Sequence, residues 1–152
     1  MKKPDPSANA DAVWYADGLR FSCTQCGHCC GGGPGYVWVS KAEITAISRY
    51  LQMPEESFVQ NHTRQVSWRR SLLEQRNWDC EFLVPDSRGR KNCSIYAVRP
   101  QQCRTWPFWK SNLDSRDAWD FAAVGCPGMN NGKHHPLPVI QAASLSNGSL
   151  PL

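Results

Sequence analysis

The clearest periodic pattern of polar and apolar residues begins at residue 40. Ser40 and Glu43 have the spacing of a capping box, in which each side chain bonds a free backbone N–H of the first helical turn. An apolar stripe at helical spacing follows, made of Ile44, Ile47 and Leu51. The pattern predicts a helix over residues 41–51 that buries this stripe.

A second helix is predicted directly afterwards. Pro54 suits the first turn of a helix, and the two glutamates that follow it suit the positive end of the helix dipole. Phe58 and Val59 then face the core, and the helix is expected to end near His62.

Strand patterns are shorter. Residues 36–40, YVWVS, are rich in β-branched and aromatic residues and predict a strand. Residues 80–84 and 92–96 predict a hairpin, with Cys80 and Cys93 on its two arms. Residues 118–124, AWDFAAV, predict a last strand.

The remaining segments are irregular. A Pro-bounded segment predicts one helical turn around Cys103. Residues 65–79 alternate too weakly to assign an element, although Trp68, Leu72 and Leu73 are expected in the core. Together these patterns predict a small α+β fold with short helices, a short β-hairpin and long loops.

The two ends of the chain differ from its middle. Residues 1–18 are polar and contain proline, which predicts a flexible arm. Residues 131–152 are rich in Asn, Gly, Ser and Pro and predict a tail that is disordered from about residue 136. The domain is therefore expected within residues 19–130.

Composition and charge limit the function classes. A chain of 152 residues, 41% of them hydrophobic, can form one domain with its own core. There is no apolar run typical of a signal peptide or a membrane span, so we expect a cytoplasmic protein without membrane association. The formal net charge is +4, but the basic residues are scattered, which does not favour nucleic-acid binding.

The candidate chemistry lies in the eight cysteines. Because cytosolic thiols stay reduced, cysteines in this number indicate metal binding rather than disulfides. Four of them fall within FSCTQCGHCCGGGPG, residues 21–35, where C-x2-C-x2-C lets one loop direct successive thiolates at a centre and glycines let the backbone approach the sulfurs. The predicted metal ligands are Cys23, Cys26, Cys29, Cys30, Cys80, Cys93, Cys103 and Cys126.

The sequence does not determine how the eight cysteines are divided between metal sites. Neighbours on an extended backbone point to opposite sides, so Cys29 and Cys30 are expected to serve two centres or to bridge two metals, unless Cys30 is a spare thiol. One division places Cys23, Cys26, Cys29 and Cys126 at a first site and the other four at a second. All-thiolate sites suit zinc or an iron–sulfur cluster, and copper(I) is compatible with them.

Other residues are candidates for supporting roles. His28, inside the loop, is expected to contact solvent or a ligand rather than replace a thiolate, and His62, His134 and His135 are expected at the surface. Arg99 and Arg104 flank Cys103 with positive charge. Four aromatic residues are expected to shield the site from water, namely Tyr96, Trp106, Phe108 and Trp109.

Four blocks in this order resemble the YkgJ-type cysteine-cluster family, defined by the motif CxxCxxCC. They are CTQCGHCC at 23–30, CEFLV at 80–84, CSIYAVRPQQCRTWPF at 93–108 and GCPG at 125–128. The resemblance covers about residues 20–130 and implies chelation of zinc or iron by the cysteines. Trp106 stands where the family more often has Phe.

The leading hypothesis is a metal-binding protein whose thiolates hold zinc or an iron–sulfur centre and couple metal binding to folding. The alternatives are an iron–sulfur redox protein or accessory enzyme, and a metal delivery or storage protein. Flagellin lysine-methylating proteins share a similar cysteine cluster, but this chain shows no glycine-rich nucleotide-binding turn. The sequence therefore leaves open whether the chain is an enzyme.

Overall fold

The computed structural model describes residues 13–31 and 34–146. Within these ranges the fold is α+β, with short helices, short antiparallel sheets and irregular connections. The strands are β1 Leu19–Phe21, β2 Trp38–Val39, β3 Thr63–Val66, β4 Arg69–Leu72, β5 Leu83–Pro85, β6 Lys91–Cys93 and β7 Met129–His135. The helices are α1 Lys41–Tyr50, α2 Glu55–His62, α3 Gln101–Thr105, α4 Lys110–Leu113, α5 Arg116–Val124 and α6 Leu137–Ser146.

The strands form three small antiparallel sheets. The central sheet has the strand order β2-β4-β3. Helices α1 and α2 lie between β2 and β3 in the sequence. β5 pairs with β6 around a polar turn, and β1 pairs with β7, so that both ends of the described chain meet. This last sheet begins with Leu19 opposite His135.

Two hydrophobic cores result. The central core is built from α1, α2, the central sheet and the segments around the hairpin, and its buried residues are Val39, Ile44, Ile47, Phe58, Leu72, Phe82 and Ile95. The terminal core is built from residues near both ends of the described chain, and its buried residues are Leu19, Phe108, Leu113, Trp119, Cys126, Met129 and Ile140.

The predicted helices of the central core are confirmed. Ser40 accepts a hydrogen bond from the Glu43 N–H, and Glu43 accepts one from the Ser40 N–H, which completes the capping box of α1. Pro54 precedes the first residue of α2, and α2 ends at His62. The strand within residues 36–40 and the helical turn around Cys103 are also present, as β2 and α3.

The predicted strand over residues 118–124 is wrong, because this segment belongs to helix α5. Ser115 caps it by accepting a hydrogen bond from the Ala118 N–H. Trp119 is fully buried, whereas Phe121 is 84% exposed and Val124 is 88% exposed. A strand would place Trp119 and Phe121 on one face, but a helix separates them.

Two further expectations differ from the structure. Trp68 is 67% exposed at the β3–β4 turn rather than part of the core. Residues 131–146, expected in the tail, form the rest of β7 and helix α6, because Ile140 of α6 is fully buried in the terminal core. Trp14 packs against the same core, while most of the predicted arm and residues 147–152 lie outside the described ranges.

No helix in the described ranges is both long and apolar enough to cross a membrane.

Candidate metal centre

The loop that carries the first four cysteines turns tightly. Gly27 has a φ of 79° and precedes a single turn of 3-10 helix over His28–Cys30. A Cβ atom at Gly27 would lie 2.9 Å from Leu83 Cδ1, and one at Gly31 would overlap Asp79 Oδ1. The positive φ together with this close approach favours glycine at Gly27, whereas a side chain at Gly31 would displace the Asp79 carboxylate.

Cys29 and Cys30 do not diverge as expected for an extended backbone. Because they lie in the 3-10 turn, their sulfur atoms are 4.0 Å apart. Two thiolates bound to one zinc ion at about 2.3 Å from the metal lie just under 4 Å apart in a tetrahedral site. The geometry therefore allows both sulfurs to bind the same metal atom.

The other four cysteines come from separate elements. Cys80 follows β4, and its N–H donates to the Cys30 carbonyl at 2.6 Å. It lies before the hairpin, in an isolated bridge with Glu74, so only Cys93 is on a hairpin arm as predicted. Cys103 lies on α3, and Cys126 follows the last turn of α5.

The structure brings all eight cysteines to the wall of one cavity of about 80 Å³. Phe21, Ile95, Tyr96 and Trp106 line the same cavity. Cys126 is buried, Cys23 and Cys29 are exposed, and the other cysteines are half-buried. In the described ranges, no three His, Cys, Asp or Glu side chains are already close enough to hold an ion.

The thiols influence each other's protonation. The hydrogen bond from Cys30 lowers the pKa of Cys29 to about 7, although burial opposes this shift. The same hydrogen bond raises the pKa of Cys30. Burial raises the pKa of Cys80 to about 11 and also raises the pKa values of Cys93 and Cys103. Cys30, Cys80, Cys93 and Cys103 are therefore protonated at neutral pH, and Cys29 is the most ionised of these five thiols.

Positive charge and a phenol lie at the cavity wall. The Arg99 guanidinium lies 3.7 Å from the centre of the Tyr96 ring and donates to the Tyr96 carbonyl at 2.9 Å. Tyr96 forms a hydrogen bond with Cys23, which raises the pKa of the phenol. Arg99 also lowers the pKa of Cys29, as a smaller contribution than Cys30. Arg104 lines the cavity too, and its Nε donates to the Arg99 carbonyl.

The histidines lie away from the thiol cavity. His28 Nδ1 lies 2.5 Å from the Gly125 carbonyl oxygen, so it joins the first cysteine loop to the loop that carries Cys126. His62 is half-buried between Phe58 and Phe82 and contacts the Glu81 carboxylate, so it is less exposed than expected. His134 and His135 contact backbone carbonyls of the β1 region.

The cavity fits a thiophilic metal centre better than it fits water. Its volume exceeds the roughly 10–15 Å³ that one water molecule needs, but sulfur, aromatic and aliphatic groups make up much of its wall and offer water few partners. Soft sulfur ligands prefer zinc, copper(I) or iron–sulfur centres and exclude magnesium and calcium.

Sequence reasoning missed two features of this wall. The hydrogen bond between Tyr96 and Cys23 joins residues 73 positions apart, and no local pattern indicates such a contact. The indole N–H of Trp106 is buried without a hydrogen-bond partner among the described residues, and the sequence could show only that an aromatic residue lies near Cys103.

Comparison with known proteins decides the family. A family model described as "CxxCxxCC: putative zinc- or iron-chelating domain" matches residues 22–127, which include all eight cysteines. The chain belongs to the CxxCxxCC family. This match confirms the resemblance found in the sequence, and it supports zinc or iron binding as the general property of the domain.

The relatives add little about activity. An uncharacterized protein of Methanocaldococcus jannaschii is 30% identical over 94 residues, which are 62% of this chain and 48% of that protein. This chain therefore spans about half the length of the curated relative. No solved structure matches the chain.

Proposed function

We propose that this chain is a metal-binding protein that holds zinc or iron through its cysteine thiolates, with more than one metal atom in the shared cavity. The observation that carries the proposal is that eight cysteines from five separate segments line one cavity. Thiols distributed along 104 residues do not meet by local geometry, so the fold itself supports a common centre for them.

The number of thiols supports a centre with more than one metal atom. A single tetrahedral ion uses four ligands, and eight thiols exceed that number. Bridging thiolates, two adjacent ions or an iron–sulfur cluster would each use the set, and the 4.0 Å contact between the Cys29 and Cys30 sulfurs is compatible with any of them.

Charge compensation supports thiolate ligands. Several thiolates close together repel one another, and a bound dication with four thiolates carries a net charge of about −2. Arg99 and Arg104 line the cavity, and each supplies a permanent positive charge there. Metal binding in this cavity would contribute to folding, since the ligands come from both hydrophobic cores.

The test is the content of zinc, iron and acid-labile sulfide per chain, measured on protein purified without oxygen or added metal. Two or more zinc ions without sulfide support a zinc-thiolate centre, and iron with equimolar sulfide supports a cluster and a redox role. A Cys103→Ser variant should lose metal, whereas a His134→Asn variant outside the cavity should keep it. Purified protein with less than one metal atom per chain that takes up none on reconstitution would exclude the proposal.

Metal delivery is a second candidate, because the centre borders an open surface. Cys23, Cys26 and Gly27 line both the thiol cavity and an open cleft of about 900 Å³. A chelator entering this cleft would reach Cys23 and Cys26 before the other ligands. Transfer of zinc to a chelator at a rate proportional to chelator concentration supports delivery, and slow transfer independent of the chelator argues for a permanent site.

A further inference from the structure

The indole N–H of Trp106 has an unusual environment. Trp106 follows helix α3 directly, three residues after Cys103. Its Nε1 atom is buried and has no hydrogen-bond partner in the described part of the chain. A buried N–H without a partner is costly, and native proteins rarely leave one unsatisfied.

The neighbouring Trp109 has an indole N–H that is paired. Trp109 packs edge-to-face with Trp106, with ring centres 4.9 Å apart. Its Nε1 donates to the Gln102 carbonyl at 2.9 Å and to Thr105 Oγ1 at 3.2 Å. The two rings therefore share an environment and differ in whether the N–H is paired.

Trp106 shares the walls of two cavities with cysteine residues. Trp106 lines the thiol cavity and also a second cavity of about 290 Å³. The cysteines common to both cavities are Cys29, Cys30, Cys80 and Cys103. Thiolates are acceptors for N–H donors, and hydrogen bonds to a ligand sulfur change its basicity and the properties of the metal it binds.

We propose that the Trp106 indole N–H donates a hydrogen bond to one of these four sulfurs when the centre is loaded with metal. This inference rests on the proposed function. Trp106 is then a positioning residue: its N–H withdraws electron density from one thiolate and makes that sulfur a weaker donor and a weaker nucleophile.

The variant Trp106→Phe keeps an aromatic ring and removes the donor, and Trp109→Phe is the matched control. Both proteins and the unchanged chain are loaded with Co²⁺ under anaerobic, reducing conditions, because sulfur-to-cobalt charge-transfer bands report the donor strength of bound thiolates. Trp106→Phe should bind the same amount of Co²⁺, with its charge-transfer band shifted to lower energy. It should also react several-fold faster with iodoacetamide, and Trp109→Phe should change neither property.

A charge-transfer band in Trp106→Phe that coincides with that of the unchanged chain would overturn the inference and leave the proposed function standing. An equal shift in Trp109→Phe would overturn it too, because the effect would then be one of packing. If the unchanged chain shows no thiolate charge-transfer band with Co²⁺, the inference fails, and the zinc, iron and sulfide content decides the proposed function separately.

A second measurement does not depend on either variant folding. In zinc-loaded protein with ¹⁵N-labelled tryptophan, the Trp106 indole proton, assigned through its contacts with Trp109, should move downfield on metal loading. The Trp109 indole proton should stay in place. A Trp106 signal that does not move on loading would mean that no sulfur accepts a bond from this N–H in the loaded protein, and would overturn the inference.

Discussion

The central and terminal cores both bury apolar side chains, but they draw them from differently arranged chain segments. The central core uses residues from continuous elements, in which α1, α2 and the central sheet follow one another along the chain. The terminal core joins Leu19 and Trp14 to residues more than 85 positions later. Residues that are near one another in the sequence form much of the central core. The terminal core depends on contacts between residues far apart in the sequence, which no local sequence pattern encodes.

The cysteines divide between the same two regions. Cys80 and Cys93 pack against the central core, and Cys126 is part of the terminal core. The first cysteine loop contacts both, since Cys80 donates to the Cys30 carbonyl and His28 contacts the Gly125 carbonyl. A metal centre bound by these thiols would therefore link the two cores directly.

The largest expected effect follows from removing the metal. Structural zinc contributes on the order of 10 kcal/mol in small thiolate sites, which is comparable with the roughly 5–15 kcal/mol of total stability of a domain. Chelator treatment under reducing conditions should therefore remove hydrogen-exchange protection from both cores. If the terminal core loses protection while the central core retains it, the metal stabilises only the terminal core, and the expected link between the two cores is wrong.

Core truncations test the architecture within each region. Phe58 and Trp119 are fully buried in the central and terminal cores respectively. Replacing either by alanine in the metal-loaded protein should lower the free energy of unfolding by about 3–5 kcal/mol, measured by urea denaturation.

The exposed Phe121 is the control for the terminal core, since Phe121→Ala should change stability by less than about 0.5 kcal/mol. Helix α5 predicts this contrast, because it turns Phe121 away from Trp119. Similar losses for Trp119→Ala and Phe121→Ala would instead support a strand over residues 118–124.

Residues 118–124 show the limit of structure prediction from the sequence alone. The capping box of α1 and the proline before α2 each produce their structure locally, so the sequence alone predicts them. AWDFAAV is compatible with either secondary structure, and tertiary contacts to Trp14 and Phe108 decide for the helix.

The candidate site also has features that the sequence predicts and features that it does not. The spacing of the cysteines identifies them as the metal-ligand candidates, but the extended backbone assumed at Cys29 and Cys30 is a 3-10 turn instead. The distance between those sulfurs follows from this local turn, which the cysteine spacing does not reveal. The unpaired Trp106 N–H depends on how distant segments pack around the cavity.

The pH dependence of metal affinity is the next effect in size. Burial raises the pKa of Cys80 to about 11 and also raises that of Cys93, so both thiols are protonated at pH 7. Metal binding must release these protons, and affinity should therefore rise with pH by about tenfold per unit for each proton released. Cys29, with a pKa of about 7, should contribute mainly below neutral pH.

Competition between the protein and a chromophoric zinc chelator, measured from pH 6 to pH 8, gives this slope after correction for the chelator's own protonation. Calorimetry in two buffers of different ionisation enthalpy counts the protons independently. An affinity that does not change with pH would show that the ligands are not protonated thiols in the metal-free chain.

The smallest predicted effect concerns the link between α1 and the helix that carries Cys103. One oxygen of Glu43 accepts a hydrogen bond from the Ser40 N–H, and the other accepts one from the Gln101 N–H, each at 2.7 Å. Ser40→Ala removes only the cap and should cost about 1 kcal/mol. Glu43→Ala also leaves the first N–H of α3 without its acceptor and should cost about 1 kcal/mol more.

The two variants should differ at the metal centre as well as in stability. Because α3 positions Cys103, Glu43→Ala should release zinc to a chelator faster than Ser40→Ala. Glu43→Gln keeps an acceptor for only one of the two N–H groups, so its zinc release should lie between those of Glu43→Ala and the unchanged chain. Equal zinc release from the two alanine variants would mean that Cys103 is held in place without this hydrogen bond. The thiol cavity would then depend on the packing of α3 against the terminal helix α6, where Gln101 contacts Ser146.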